Sequence, residues 1–309
     1  MKKKKLLITG GTGLLAINWA CALRNTWDVT LGTHCHKVNL AGVNSSQLVL
    51  EDPVYLQAQI DALAPDLVVH TAGLTSVDEC ELNPELAYQV NVEIAQNVAL
   101  VAARQGTALI HISTDHLFFG GKSMCTEEDA PSPLNHYGRT KALAETAVLS
   151  ANSTALILRT NFFGWGHHRR QSFSDWLVNN LRAGKPLNLY DNIFFTPILA
   201  DELAKAAHQL IDKGVSGIFN LVGDQRLSKY EFASLLADYF QLSKQLLIRH
   251  SLGNSELVAA RPNDMSLDNS KARKILGRKL GSVSDFLSVL RMQELSGRGA
   301  EMLNSVSGT

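Results

Sequence analysis

Tyr137 and Lys141 stand four positions apart in 137-YGRTK-141, a spacing that puts both on one face of a helix. An ammonium beside a phenol favours the phenolate and lowers the phenol's pKa. Tyr137 could then exchange a proton with a carbonyl or hydroxyl oxygen near neutral pH. A second stretch, 111-HISTDHLFFG-120, begins like a buried strand and then holds Ser113, Thr114, Asp115 and His116 in succession. Polar side chains at a strand end cost free energy unless something satisfies them, and ligands of parallel sheets bind at the carboxyl ends of strands. A third, 9-TGGTGLLA-16, follows a short apolar strand and opens a helix, the context that a dinucleotide phosphate site requires. Gly10 permits the tight turn and Gly13 lets a pyrophosphate approach the backbone. The amides near Leu14 and Leu15 offer donors at the positive end of a helix dipole. Ala16 is the third small residue of the pattern.

The end of the next strand discriminates between cofactors. A carboxylate there binds the ribose hydroxyls of NAD, but 32-GTHCHK-37 has none. His34, His36 and Lys37 could instead meet a 2′-phosphate, so NADP is preferred over NAD. His34-Cys35-His36 also looks like a metal cluster, yet adjacent residues of a strand face opposite sides and could not converge on one ion; no metal is expected.

These residues need elements to position them. Residues 5–9, 28–33, 66–72, 107–113 and 154–160 read as strands. Residues 14–25, 53–64, 84–105 and about 135–151 read as helices, the third one long helix with Ala87, Val90, Ile94, Val98 and Val101 at helical spacing. Such alternation implies an α/β fold with a mostly parallel, doubly wound, Rossmann-type sheet covered on both faces. Beyond 160, helices are expected at 173–183, 200–213 and 228–240, with short strands near 187–190, 217–222 and 245–249. The expected division is a dinucleotide-binding domain over 1–160, a smaller, mainly substrate-binding α/β part over 161–290, and a Gly- and Ser-rich mobile tail over 291–309.

Composition narrows the function. The 309 residues are 45% hydrophobic and 19% charged with a formal net charge of zero, which argues against nucleic-acid binding. The run 2-KKKK-5 reads as a solvated terminus. Neither a secretory signal nor the ~18 apolar residues of a membrane span is read. Cysteines at 21, 35, 80 and 125 form no C-x-x-C pair, which fits free thiols in a reducing, cytoplasmic setting. In 165-WGHHRR-170, Arg169 or Arg170 could grip a phosphate, although a solvent-facing loop is the favoured reading. Asn91 suits a structural hydrogen bond to the neighbouring strand. Asp78 and Glu79 suit the first turn of a helix.

Together, 9-TGGTGLLA-16, 70-HTAG-73, 113-STDHLFFG-120, 137-YGRTK-141, 196-TPILADELAKA-206, 228-SKYEFA-233 and 261-RPNDMSLDNSKARKILG-277 resemble the extended short-chain dehydrogenase/reductases that act on nucleotide sugars. Within them, the dTDP-4-dehydrorhamnose reductase branch is most similar, and the resemblance covers roughly residues 5–290. It implies that Tyr137 is the catalytic acid, that Lys141 holds the nicotinamide ribose and tunes the tyrosine, and that Thr114 hydrogen-bonds the substrate oxygen. Gly10, Thr12, Gly13, Leu14 and Leu15 would form the pyrophosphate turn, and Ala72 and Gly73 would line the cofactor. Ser113 is expected on the cofactor side. Asp115 and His116 would face the substrate, and Arg261 its diphosphate.

Two departures stand out. The Asp that meets adenine in the family falls on Val49 here, with Asp52 three residues on. His116 stands where the rhamnose-type reductases usually have Tyr and the 4,6-dehydratases have Glu, which counts against elimination chemistry. The expected activity is therefore NAD(P)H-dependent reduction of a 4-keto nucleotide sugar. The alternatives are an NAD-dependent nucleotide-sugar epimerase or a non-catalytic regulatory subunit of this fold. The partner is the nucleotide-sugar substrate rather than nucleic acid or membrane, and a homodimer is left open.

Overall fold

The computed structural model describes residues 2–251 and 258–306. The first half alternates strand and helix. It runs β1 (Lys5–Thr9), α1 (Leu14–Leu23), β2 (Asp28–Thr33), β3 (Asn44–Gln47), α2 (Pro53–Leu63), β4 (Leu67–His70), α3 (Val77–Leu82), α4 (Pro84–Tyr88), α5 (Ile94–Gln105), β5 (Ala108–Ile112), α6 (His136–Ala151) and β6 (Leu156–Arg159). The second half holds β7 (Phe162–Phe163), α7 (Phe173–Arg182), β8 (Leu187–Tyr190), β9 (Phe194–Phe195), β10 (Ile198–Leu199), α8 (Ala200–Asp212), β11 (Gly217–Asn220), β12 (Leu227–Ser228), α9 (Lys229–Phe240), β13 (Leu247–His250), α10 (Ser270–Leu276), α11 (Val283–Leu295) and α12 (Arg298–Leu303).

Seven strands form one sheet in the order β11-β6-β5-β4-β1-β2-β3, every pairing parallel. This is the doubly wound Rossmann-type order, whose switch point lies between β1 and β4. Alternation along each strand sorts side chains between two cores. Leu6, Ile8, Leu67, Val69 and Ile110 join α1 and α8 on one face; Leu7, Val68 and Leu109 join α2, α5 and α6 on the other.

The structure adds detail to three expectations. The boundary at 160 is not clean, because β11 pairs with β6 inside the main sheet and α8 packs on α1. The helix expected over 84–105 is continuous, running as α4, a π-helical turn over Gln89–Glu93, and α5. The tail is packed as far as it is described. Gly297, at φ +83°, begins α12, Arg298 donates to Asp201 at 2.7 Å, Met302 is buried, and Val306 bridges to Val38. Glycine and serine here turn and cap helices rather than mark a loose chain; residues 307–309 lie outside the described residues. The polar edge strand β3, Asn44–Gln47, had no apolar pattern to announce it. Among the described residues no helix is long and apolar enough to cross a membrane.

Candidate active site

A cavity of about 410 Å³ opens at the carboxyl ends of β1, β4, β5 and β6. The glycine turn forms one wall. Gly10 has φ +67°, and a Cβ there would stand 2.7 Å from the Ala72 amide nitrogen. Only glycine therefore lets β1 and β4 hand over to their loops this closely. Gly13 caps α1 without any side-chain acceptor, so the first amides of a ten-residue helix stay available to an anion. The turn thus fits a dinucleotide pyrophosphate.

The opposite wall is the start of α6. Asn135 caps it by accepting from the Gly138 amide at 2.8 Å. A Cβ at Gly138 would meet the His116 carbonyl oxygen at 2.3 Å, so this glycine lets α6 seat directly on the end of the β5 loop. Tyr137 and Lys141 are both buried and both line the cavity. The phenol is not lowered as the spacing suggested. Burial pushes it up to about 12, while a hydrogen bond with Thr114 pulls the other way. Lys141 turns from the phenol to donate to the Ile112 carbonyl at 2.7 Å. Burial brings its ammonium down to about 8, opposed by Glu145.

Thr114, Asp115 and His116 follow β5 into the same cavity. Asp115 is buried and accepts from Asn161 Nδ2 at 2.5 Å. His116 lies edge-on to Tyr137, with ring centroids 5.6 Å apart. Burial lowers its imidazole pKa, with Asp115 opposing. Ser113 lines the cavity, and its hydroxyl donates to Glu145 Oε1 at 2.6 Å. Ser113, Thr114, Asp115, His116, Tyr137 and Lys141 are thus brought together with Gly10, Thr12, Gly13, Leu14, Leu15, Ala72 and Gly73.

His34, Lys37 and Arg261 are not among the cavity-lining residues. Exposed His34 is 3.0 Å from the Cys35 sulfur, and both stand beyond the end of β2. Arg261 Nη2 donates to Asp78 at 2.9 Å and its Nη1 to the Ala259 carbonyl at 2.8 Å. Val49 is exposed, and Asp52 is spent capping α2 by accepting from the Val54 amide at 2.8 Å. Among the described residues no three histidine, cysteine or acidic side chains gather as metal ligands.

Other lining residues were not anticipated: Thr71, Thr75, Val77, Ile112, Thr160, Asn161 and Phe162; Arg170, weighed as a phosphate grip but read as a loop residue, also lines the cavity. Thr160 and Asn161 directly follow a buried strand, as Thr114 and Asp115 do, so the same signal applied to β6 would have found them. Asn91 sits on the π-helical turn and also lines the cavity. It accepts from the Leu74 amide at 2.8 Å and donates to Thr140 Oγ1 at 3.0 Å, tying the loop after β4 to α6. Such π-helical turns are frequent at functional sites. His167 Nε2 is 2.9 Å from the Thr12 carbonyl. That contact draws the 165–170 loop over the glycine turn, where Arg170 reaches the Thr75 hydroxyl.

The family description "RmlD substrate binding domain" matches residues 4–290. The chain is 30% identical over 288 residues to the "Probable low-salt glycan biosynthesis reductase Agl14" of Haloferax volcanii, covering 92% of this chain and 96% of that protein. It is also 32% identical over 279 residues to "Methionine adenosyltransferase 2 subunit beta" of Rattus norvegicus, covering 87% and 81%. The solved dTDP-4-dehydrorhamnose reductase of Bacillus anthracis, in complex with NADP, superposes with a TM-score of 0.83 at 22% identity over 94% of this chain and all of that one. Cavity, glycine turn and family match agree: this chain belongs to the RmlD-type branch of the extended short-chain dehydrogenase/reductases, a family of NAD(P)-dependent oxidoreductases.

Proposed function

We propose that this protein reduces the 4-keto group of a nucleotide sugar, using NADPH in preference to NADH. The observation that carries the reading is the meeting of Thr114, Tyr137 and Lys141 with the uncapped start of α1 in one cavity. Gly10, Thr12, Gly13, Leu14 and Leu15 would cradle the cofactor's pyrophosphate, and Ala72 and Gly73 would line its path to the nicotinamide. The bound cofactor supplies the hydride. Tyr137, held protonated by burial, donates its proton to the oxygen on which charge develops. The Thr114 hydroxyl donates its hydrogen to that oxygen, and Lys141 holds the nicotinamide ribose and adds positive charge. Asp115, fixed by Asn161, and His116 would contact the sugar. Lys229 and Arg261 set positive charge on the His116 side of the site, which suits a diphosphate.

The test is consumption of NADPH and of NADH against a panel of 4-keto nucleotide sugars. Oxidation of one cofactor with at least one sugar is expected; no oxidation of either, from protein that still binds them, would overturn the reading. An epimerase would instead be purified with NAD bound and turn over with no net redox. A regulatory role is favoured by the similarity to the methionine adenosyltransferase subunit, and it would leave turnover of any sugar unnecessary. Full partner-stimulating activity in Tyr137→Phe would support it.

A further inference from the structure

A buried polar row crosses the sheet under the cavity. The register pairs Thr9 with His70 and His70 with His111. The three side chains therefore stand side by side on β1, β4 and β5, on the face shared by Leu7, Val68 and Leu109 and covered by α5 and α6. None is more than 1% exposed. Thr9 Oγ1 lies 2.7 Å from His70 Nδ1, and the two imidazoles stack with centroids 5.3 Å apart. At the end of the row His111 Nε2 faces Lys141 Nζ at 3.4 Å. Aliphatic side chains would fill these positions at lower cost. Buried ring nitrogens without a partner are unfavourable, and His70 Nε2 and His111 Nδ1 have none among the described residues.

We propose that His111, backed by His70 and Thr9, is a positioning residue for Lys141. Its Nε2 lone pair and the Ile112 carbonyl each take one ammonium hydrogen and hold Nζ at the cavity floor, leaving the third hydrogen for the ligand. Accepting at Nε2 requires the proton on Nδ1. Burial keeps both rings neutral, with His70 held down at about 3 and His111 lowered as well, Lys141 adding to both effects. Lys141 thus meets neutral rings from β4 and β5. Among the described residues the opposing charge comes from Glu145 on its own helix, itself held by Arg159 from β6. Glu145 raises the ammonium; the imidazole supplies direction without a second charge.

The inference rests on the reading that Lys141 serves a bound dinucleotide, so the experiment is NADPH affinity against pH, which needs no sugar. His111→Phe keeps the ring's bulk and its stacking on His70 but removes the acceptor; His111→Gln places an amide oxygen near the Nε2 position. In His111→Phe, NADPH should bind about tenfold more weakly at neutral pH, and the alkaline loss of binding should begin about one pH unit lower. His111→Gln should restore both. An unshifted alkaline limb in a folded His111→Phe would reduce His111 to a packing residue and overturn the proposal. If His111→Phe does not fold, His111→Gln decides, a wild-type limb supporting the proposal and a lost one overturning it. Wild-type protein that binds NADPH yet reduces no sugar would overturn the proposed function and leave this result standing, whereas failure to bind either dinucleotide would overturn both.

Discussion

Arg159 at the end of β6 and Glu145 on α6 form a two-pronged ion pair, Nε to Oε1 at 2.9 Å and Nη2 to Oε2 at 2.7 Å, with both side chains almost wholly out of solvent. Because Ser113 also donates to Glu145, the pair locks the strand end carrying Thr114 to the helix carrying Tyr137 and Lys141. Breaking a buried pair from one side leaves an uncompensated charge, which costs about 3–5 kcal/mol. Arg159→Met should therefore lower unfolding free energy in urea by that order. The double variant Arg159→Met with Glu145→Leu should recover a large part of the loss, while sugar turnover stays impaired in both. Equal losses in single and double variants would mean that packing, not charge, governs the site.

Tyr137→Phe should lower kcat by about a thousandfold and leave NADPH affinity within about twofold, since on the proposed function the lost hydroxyl would meet the sugar oxygen and not the cofactor phosphates. The phenol, pushed up to about 12, cannot set an alkaline limb in the working range. Lys141, depressed to about 8, can. Its ammonium is present below that pH and lost as pH rises through it, so kcat should fall above pH ~8. Lys141→Met should be nearly inactive throughout. An alkaline limb that stays in place in a Lys141 variant with residual activity would transfer it to another group.

Buried histidines lower acid stability, His208 and His70 among them. His208 accepts from Trp19 Nε1 at 3.1 Å and is lowered by burial to about 4, and His70 is lowered to about 3. Both groups are depressed below the unfolded value of about 6.5. As pH falls below that value the unfolded chain takes up protons that the folded chain refuses, so stability drops. Each histidine should contribute about 1 kcal/mol per pH unit between pH ~6 and ~4. His208→Gln, which retains an acceptor for Trp19, should make the fall of urea-derived stability shallower by about one proton. Parallel curves for variant and wild type would remove His208 from the account.

The sheet apart from β3 was legible because its other strands are largely apolar and its helices repeat at helical spacing. Thr114, Tyr137 and Lys141 were legible because polar residues at a buried strand end and a four-residue spacing each have few local explanations. The behaviour of Tyr137 was not. Its pKa depends on how deeply α6 seats against His116, a tertiary contact that no local spacing encodes. The partner of Ser113, Glu145, was not legible, because alternation gives the side of the sheet and not the partner waiting there. The packing of the tail was not legible because Asp201 and Arg24, which hold Arg298 and Glu301, lie 97 and 277 positions away.

Cofactor choice should rest on a residue from the second half of the chain. Arg169 Nη1 reaches His36 Nδ1 at 3.3 Å, and the contact of His167 with Thr12 anchors the loop that brings it there. Beyond β2, where a carboxylate would select NAD, the chain offers His36 with Arg169 beside it. A guanidinium in that place would bind a 2′-phosphate through charge-assisted hydrogen bonds. Arg169→Ala should weaken NADPH binding by about tenfold and leave NADH binding unchanged. In the wild type, raising salt should narrow the gap between the two cofactors, because the contact is exposed and screened. His36→Asp should go further and favour NADH, by repelling the phosphate and offering the ribose hydroxyls an acceptor. Parallel titrations of both cofactors by nicotinamide fluorescence measure this directly. An Arg169→Ala protein that loses both cofactors equally would show that the arginine supports the loop and does not read the phosphate.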